Sequence, residues 1–165
     1  MATLKNAPED RTPFGLLREA GIHHVVGYQV AQASIATMRV FERRVGSGFK
    51  LRPVEFTILA LVDENPGLSA KQLSEALAIA PPNMAVWIEK LERRGLIERE
   101  RSTLDRRAQH IRATAAGEQL SRESVRTVLS DERKALATLS PAEWAMLVEL
   151  LHKVALCREG AAPVS

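Results

Sequence analysis

The sequence predicts a mainly α fold with one small β-hairpin, and three stretches carry that prediction. Two short helical patterns lie within residues 68–94, separated by Ala80-Pro81-Pro82; two short strand patterns lie within residues 96–114 around an arginine-rich loop; long helical patterns flank both. With 165 residues, 45% apolar and 26% charged, the chain is long enough for one well-filled core and too short for two ordinary domains.

Residues 1–12 are polar and lack the apolar run of a signal peptide, so a flexible leader is expected there. From Pro13 to about Val45 the pattern reads as helix, with Ile22, Val25, Val26, Val30, Val40 and Phe41 drifting around one face. That stripe exceeds what a small module could cover, which assigns residues 13–48 in part to a subunit interface. Gly46-Ser47-Gly48 breaks the helix. Pro53 opens the next one, where Phe56, Ile58, Leu59, Leu61 and Val62 pack inward until Asp63-Glu64-Asn65-Pro66-Gly67 ends it.

Ser69 with Gln72 three residues on forms a capping box, and Leu73, Ala76 and Leu77 give the helix behind it an inward face. Proline lacks the N–H that a helix interior needs but suits a first turn, so the following helix starts at Pro81 or Pro82. Met84, Trp87, Ile88 and Leu91 turn inward along it, while Asn83, Val86, Glu89, Lys90 and Arg93 turn outward. Gly95 is its C-terminal cap. Leu96, Ile97, Arg99 and Arg101 lead into one strand, Gln109 to Thr114 form a second, and residues 102–108 join them. A hairpin this basic can straddle a phosphate backbone. Beyond Thr114, Leu120, Val125, Val128, Leu129, Leu136 and Leu139 mark a third long helix. Ser140-Pro141-Ala142-Glu143 starts the last, whose apolar residues from Trp144 to Ala155 make a face too wide for one partner. Residues 160–165 read as a frayed tail.

The run Trp87-Ile88-Glu89-Lys90-Leu91-Glu92-Arg93-Arg94-Gly95-Leu96-Ile97, then Asp105-Arg106-Arg107, then Arg112-Ala113-Thr114 and Gly117, resembles the winged helix-turn-helix of MarR-type transcriptional regulators. The resemblance implies a winged helix-turn-helix module over residues 49–114, flanked by long dimerisation helices at 13–48 and 115–159. It also implies a homodimer, a double-stranded DNA operator and repression relieved by a small aromatic carboxylate or phenolic effector.

In such a module the second helix enters the major groove, which places Pro82, Asn83, Ala85 and Val86 at base edges. Asn83 can pair bidentately with adenine, and Val86 can touch a thymine methyl. The resemblance implies that Asp105 orients Arg107 into a minor groove. Lys90, Arg101 and Arg106 are expected on phosphates, with Ser69, Lys71 and Thr103 as secondary backbone contacts. Two copies set the paired helices about 34 Å apart on a pseudo-palindrome. His23, His24, Tyr28, Gln32 and Arg39, polar groups on a mostly apolar stretch, are the candidates for the effector pocket.

No metal site or cofactor is expected, because adjacent histidines do not have the i, i+4 chelating spacing. Nor does the sequence carry a nucleophilic triad context, a glycine-rich phosphate loop or paired carboxylates in an apolar setting, so an enzyme is not expected. Cys157 is the single cysteine, which excludes an internal disulfide and fits a reducing compartment; a passive interface thiol is its expected role. No run approaches the roughly 18 apolar residues of a membrane span. A cytoplasmic, nucleoid-associated protein of a bacterium or archaeon follows. The competing expectation is a DNA-binding regulator or architectural protein with no effector.

Overall fold

A computed structural model describes residues 11–101 and 109–158. Among them six α-helices and one hairpin occur in the order α1 (Val26–Phe41), α2 (Pro53–Glu64), α3 (Ala70–Leu77), α4 (Pro81–Arg93), β1 (Ile97–Arg101), β2 (Gln109–Ala113), α5 (Ala115–Ala135) and α6 (Pro141–Leu156).

The first helix begins at Val26 rather than Pro13. Before it the chain doubles back: Arg11 bridges Arg18, Gly15 and Leu16 take left-handed φ angles of 81° and 51°, and the Thr12 hydroxyl accepts from Leu17 N–H while donating to Phe14 O. Apolar spacing suggested a helix there, but the Thr12 hydroxyl closes a turn on Phe14 and Leu17 instead of capping a helix, and the glycine supplies the reversal. At its other end α1 runs on through a π-helical turn, Glu42–Gly46, so the Gly46-Ser47-Gly48 break expected from the sequence comes later, at Phe49 and Lys50. The chain stays helical because Val45 is fully buried beside Phe41 and anchors the turn.

Among the described residues thirteen buried apolar side chains form the core, all between Phe41 and Ile111. Ile58, Leu59 and Val62 of α2 meet Leu73 of α3, Met84, Ile88 and Leu91 of α4, and Ile97 and Ile111 of the hairpin. One inward assignment changes: Ala76 is exposed while Ser74 is buried. Trp87, half-buried, packs against the core together with Phe56, Leu61 and Leu77.

The capping box closes as its sequence implies: Ser69 Oγ accepts from Gln72 N–H, and Gln72 Oε1 accepts from Ser69 N–H at 2.8 Å. At the far end of α4, Gly95 (φ 68°) donates to Glu92 O and Leu96 N–H donates to Leu91 O, a double closure that needs the left-handed backbone glycine adopts freely. The same closure ends α3, with Ile79 N–H on Ser74 O, but there Ala78 takes the left-handed position at φ 51°. A Cβ in that conformation costs about 1–2 kcal/mol.

β1 and β2 pair antiparallel from Ile97↔Ala113 to Arg101↔Gln109. Leu68 adds a one-residue third strand against Ile111, which the sequence did not signal, and His110 Nδ1 donates to Gly67 O at 2.7 Å. Thr114 then joins hairpin to α5: its hydroxyl donates to Gly95 O and accepts from Gly117 N–H. Gly117 itself is pressed against the backbone of Leu96, just before β1, since a Cβ there would sit 1.9 Å from Leu96 O.

α5 ends at Ala135, short of the Leu139 that the sequence suggested, and Ser140 caps α6 with Glu143. Arg44 ties the π-helical turn to α5 through Asp131 at 2.8 Å. α6 buries none of its residues against the chain, and Met146, Leu147, Val148, Leu150, Leu151 and Val154 are all exposed. Among the described residues no helix is long and apolar enough to cross a membrane.

Candidate nucleic-acid interface

The outward face of α4 follows from its inward one. Met84, Ile88 and Leu91 are 0–1% exposed, which turns Pro82, Asn83, Ala85 and Val86 to solvent. Val86 is 48% exposed, a branched apolar side chain with no cover in its own chain. It lies with Asn83 in a shallow depression that Ile79, Ala80 and Trp87 complete.

The start of α4 has a chemical consequence. Pro81 and Pro82 carry no N–H, and the first two N–H groups after them, on Asn83 and Met84, both donate to Ala80 O. A helix N-terminus ordinarily offers free N–H groups to an anion. The first four residues of α4 itself offer none, so those residues must read with side chains.

Lys90 was grouped with phosphate contacts, and its ammonium lies 4.3 Å from the centre of the Trp87 ring, with the Arg52 guanidinium at 5.8 Å from the same ring. The ring holds both cations through its negative π face. On α3 the Ser69 hydroxyl hydrogen goes to Gln72 Oε1, whereas Lys71 is exposed and 3.7 Å from Glu75. In the hairpin, Arg99 pairs with Glu92 at 3.1 Å and Arg112 with Glu100 at 3.0 Å. The arginines at the base of the wing are therefore already neutralised within the chain. Thr103, Asp105, Arg106 and Arg107 lie outside the described residues; Arg101 closes the strand pairing with Gln109.

The five effector candidates separate into two groups. His23 and His24 precede α1 in a turn instead of lying on it, with their rings edge to face at 5.2 Å. His23 Nδ1 donates to Glu19 Oε1 at 3.0 Å and the Tyr28 hydroxyl donates to Glu19 Oε2, so both converge on a buried carboxylate that sequence reading missed. The Tyr28 hydrogen bond first, and that of His23 second, hold the Glu19 carboxyl below its ordinary pKa; the same carboxylate pushes the Tyr28 phenol up. No spacing rule pairs Glu19 with Tyr28, because the turn that joins them is irregular. Gln32 is half-buried on α1, while Arg39 is exposed and eleven residues beyond Tyr28, about 16 Å along the helix. Arg39 thus stands apart from the Glu19 cluster.

Comparison with known proteins agrees with this fold. Residues 51–108 match the model of the MarR family. The chain is 29% identical over 129 residues, 78% of each chain, to a putative transcriptional regulatory protein for the hcr operon of Thauera aromatica. Among solved structures it is similar to the transcriptional repressor CouR bound to a 23-mer DNA duplex, with a TM-score of 0.76, 26% identity, and 84% of this chain and 98% of that one covered. It is also similar to BpsR of Bordetella bronchiseptica, whose DNA binding is regulated by 6-hydroxynicotinic acid, with a TM-score of 0.70, 25% identity, and coverage of 80% and 94%.

Proposed function

Because this chain belongs to the MarR family of transcriptional regulators, we propose that it acts as a homodimeric repressor of a pseudo-palindromic operator, released by a small aromatic or phenolic effector. One observation carries the reading: α4 turns a solvent-exposed face of Asn83, Ala85 and Val86 outward from a fully buried inner face. Such a face suits base edges in a major groove, Asn83 on adenine and Val86 on a thymine methyl. Arg107, with Asp105 orienting it, reaches the adjacent minor groove, and Lys71, Lys90, Arg101 and Arg106 meet phosphates.

The dimer is supported by the run of exposed large apolar side chains on α6 and α1, the kind of contiguous surface that marks an interaction site. A two-fold pairing would bury both and space the two α4 helices for successive grooves. An aromatic acid as effector is supported by BpsR, which responds to 6-hydroxynicotinic acid. Its binding would favour a spacing of the two α4 helices that misfits DNA, for which a coupling of about 1–3 kcal/mol suffices. The protein then works in the cytoplasm, on the chromosome.

The test is binding of the purified protein to the DNA upstream of its own reading frame at two salt concentrations. Affinity should fall steeply with salt, and Arg107→Ala should weaken it about tenfold. Aromatic acids added to the complex should release the DNA. Binding that Arg107→Ala leaves untouched would defeat the wing assignment, and binding that no aromatic acid perturbs would defeat the effector and leave an effector-free regulator.

A further inference from the structure

α3 ends without the counter-charge that its own sequence could have supplied. The last carbonyls of a helix collect negative partial charge, which a lysine or arginine in the final turn ordinarily offsets. α3 carries no basic residue there and places Glu75 in that turn instead. Ala78 and Ile79 close on Ser74 O, which leaves Glu75 O with one long bond, 3.4 Å from Ala78 N–H. Among the described residues no backbone N–H reaches Ala76 O.

The missing cation comes from the other end of the chain. Arg158, two residues past α6, donates through Nη1 to Glu75 O at 3.2 Å and to Ala76 O at 3.1 Å. A guanidinium makes stronger hydrogen bonds to carbonyls than a neutral donor does. The place of contact matters as much as its strength. The residues that follow, Ala78 to Ala80, are the turn between α3 and α4, and Ala78 holds its left-handed φ of 51° there. A strained turn persists only where its surroundings fix it. Arg158 therefore grips the residues on which the direction of α4 depends.

The helix that carries Arg158 has little else to hold it against its own chain. At its start the Arg133 guanidinium lies 5.7 Å from the centre of the Trp144 ring, and none of α6 is buried. Arg158 follows fourteen residues later, about 21 Å along a helix, past the exposed side chains of Leu147, Leu150, Leu151 and Val154. Cover on that stripe from a second copy of the chain decides where α6 points. It thereby decides whether Arg158 meets α3.

We propose that Arg158 is a positioning residue that latches the end of α6 onto the last turn of α3, so that pairing of two chains through α6 sets the seat of α3 and α4. Its consequence for DNA rests on the homodimer and operator reading given above. The latch itself is read without DNA.

The test is amide hydrogen exchange on the full chain, followed by operator binding. Arg158→Ala should speed exchange at Ala78 and Ile79 about tenfold and leave the amides of Val62 and Ile88 unchanged. Arg158→Lys, which keeps a cationic donor, should restore most of the protection. Leu151→Asp, which breaks the pairing stripe, should raise exchange at Ala78 and Ile79 to the Arg158→Ala level, and combining the two should add nothing further. On operator DNA, Arg158→Ala should weaken binding about tenfold with the same dependence on salt, because no phosphate contact is lost. Unchanged exchange at Ala78 and Ile79 in Arg158→Ala overturns the latch. Protection that survives Leu151→Asp, or effects of the two substitutions that add, overturns its link to pairing. A shallower salt dependence makes Arg158 a phosphate contact and overturns the positioning role. If the wild type does not bind the DNA upstream of its reading frame, the operator reading fails and exchange alone decides the latch.

Discussion

α4 and α6 are both amphipathic helices that start on proline, and the chain treats them in opposite ways. The stripe Met84, Ile88, Leu91 on α4 is buried by α2, α3 and the hairpin, whereas the stripe on α6 is left open, with Leu151 at 45% and Val154 at 51% exposure. Among the described residues every buried apolar side chain lies between Phe41 and Ile111, so the winged module closes its core with the end of α1 and one face of α5, and α6 adds nothing to it. An apolar period states that a face will be covered. It does not state by which chain.

The sharpest way to break that contrast is to cut one side chain from each helix. Ile88→Ala should cost about 2–5 kcal/mol in urea unfolding, the same at every protein concentration, because the cavity forms inside one chain. Leu151→Ala should leave unfolding of the diluted monomer within about 0.5 kcal/mol of wild type and instead raise the concentration at which dimers dissociate in sedimentation. If Leu151→Ala costs the dilute protein as much as Ile88→Ala does, α6 belongs to the core and the contrast is wrong.

The junction between the two regions comes next. Gly117→Ala puts a methyl 1.9 Å from Leu96 O, so α5 must move away from Leu96; a loss of about 3 kcal/mol is expected in the same unfolding assay. An unchanged midpoint would show that α5 is not seated on the module as tightly as its close approach implies. The smallest effect is a gain. Ala78→Gly relieves the left-handed alanine between α3 and α4 and should add about 1 kcal/mol to stability. A loss of stability there would mean that the turn tolerates alanine for a reason other than backbone closure.

Local signals in the sequence were good guides wherever the physics was local. Ser69 with Gln72 and Ser140 with Glu143 form their capping boxes, Pro81 opens α4, and Gly95 ends it, because each depends on atoms within a few residues. The face of α4 that carries Asn83 and Val86 was legible for the same reason: three buried residues at helical spacing fix the rest of the wheel. The stretch from Pro13 to Val25 misled because apolar spacing was read as helix, whereas the Thr12 hydroxyl and Gly15 close a reversal that leaves Phe14, Leu16 and Leu17 exposed. Trp87 packs against the core as its spacing implied, and its half-buried ring also carries Arg52 and Lys90.

By itself the sequence determined the fold class, the order of elements, the helix boundaries that carry caps and the outward set on α4. Only the tertiary structure brought Tyr28 onto Glu19, Leu68 onto Ile111, Leu96 onto Gly117, and Arg158 onto the end of α3. Each of those meetings joins residues whose approach is set by the path of the backbone between them. Side-chain periodicity repeats over three or four residues and holds no record of that path.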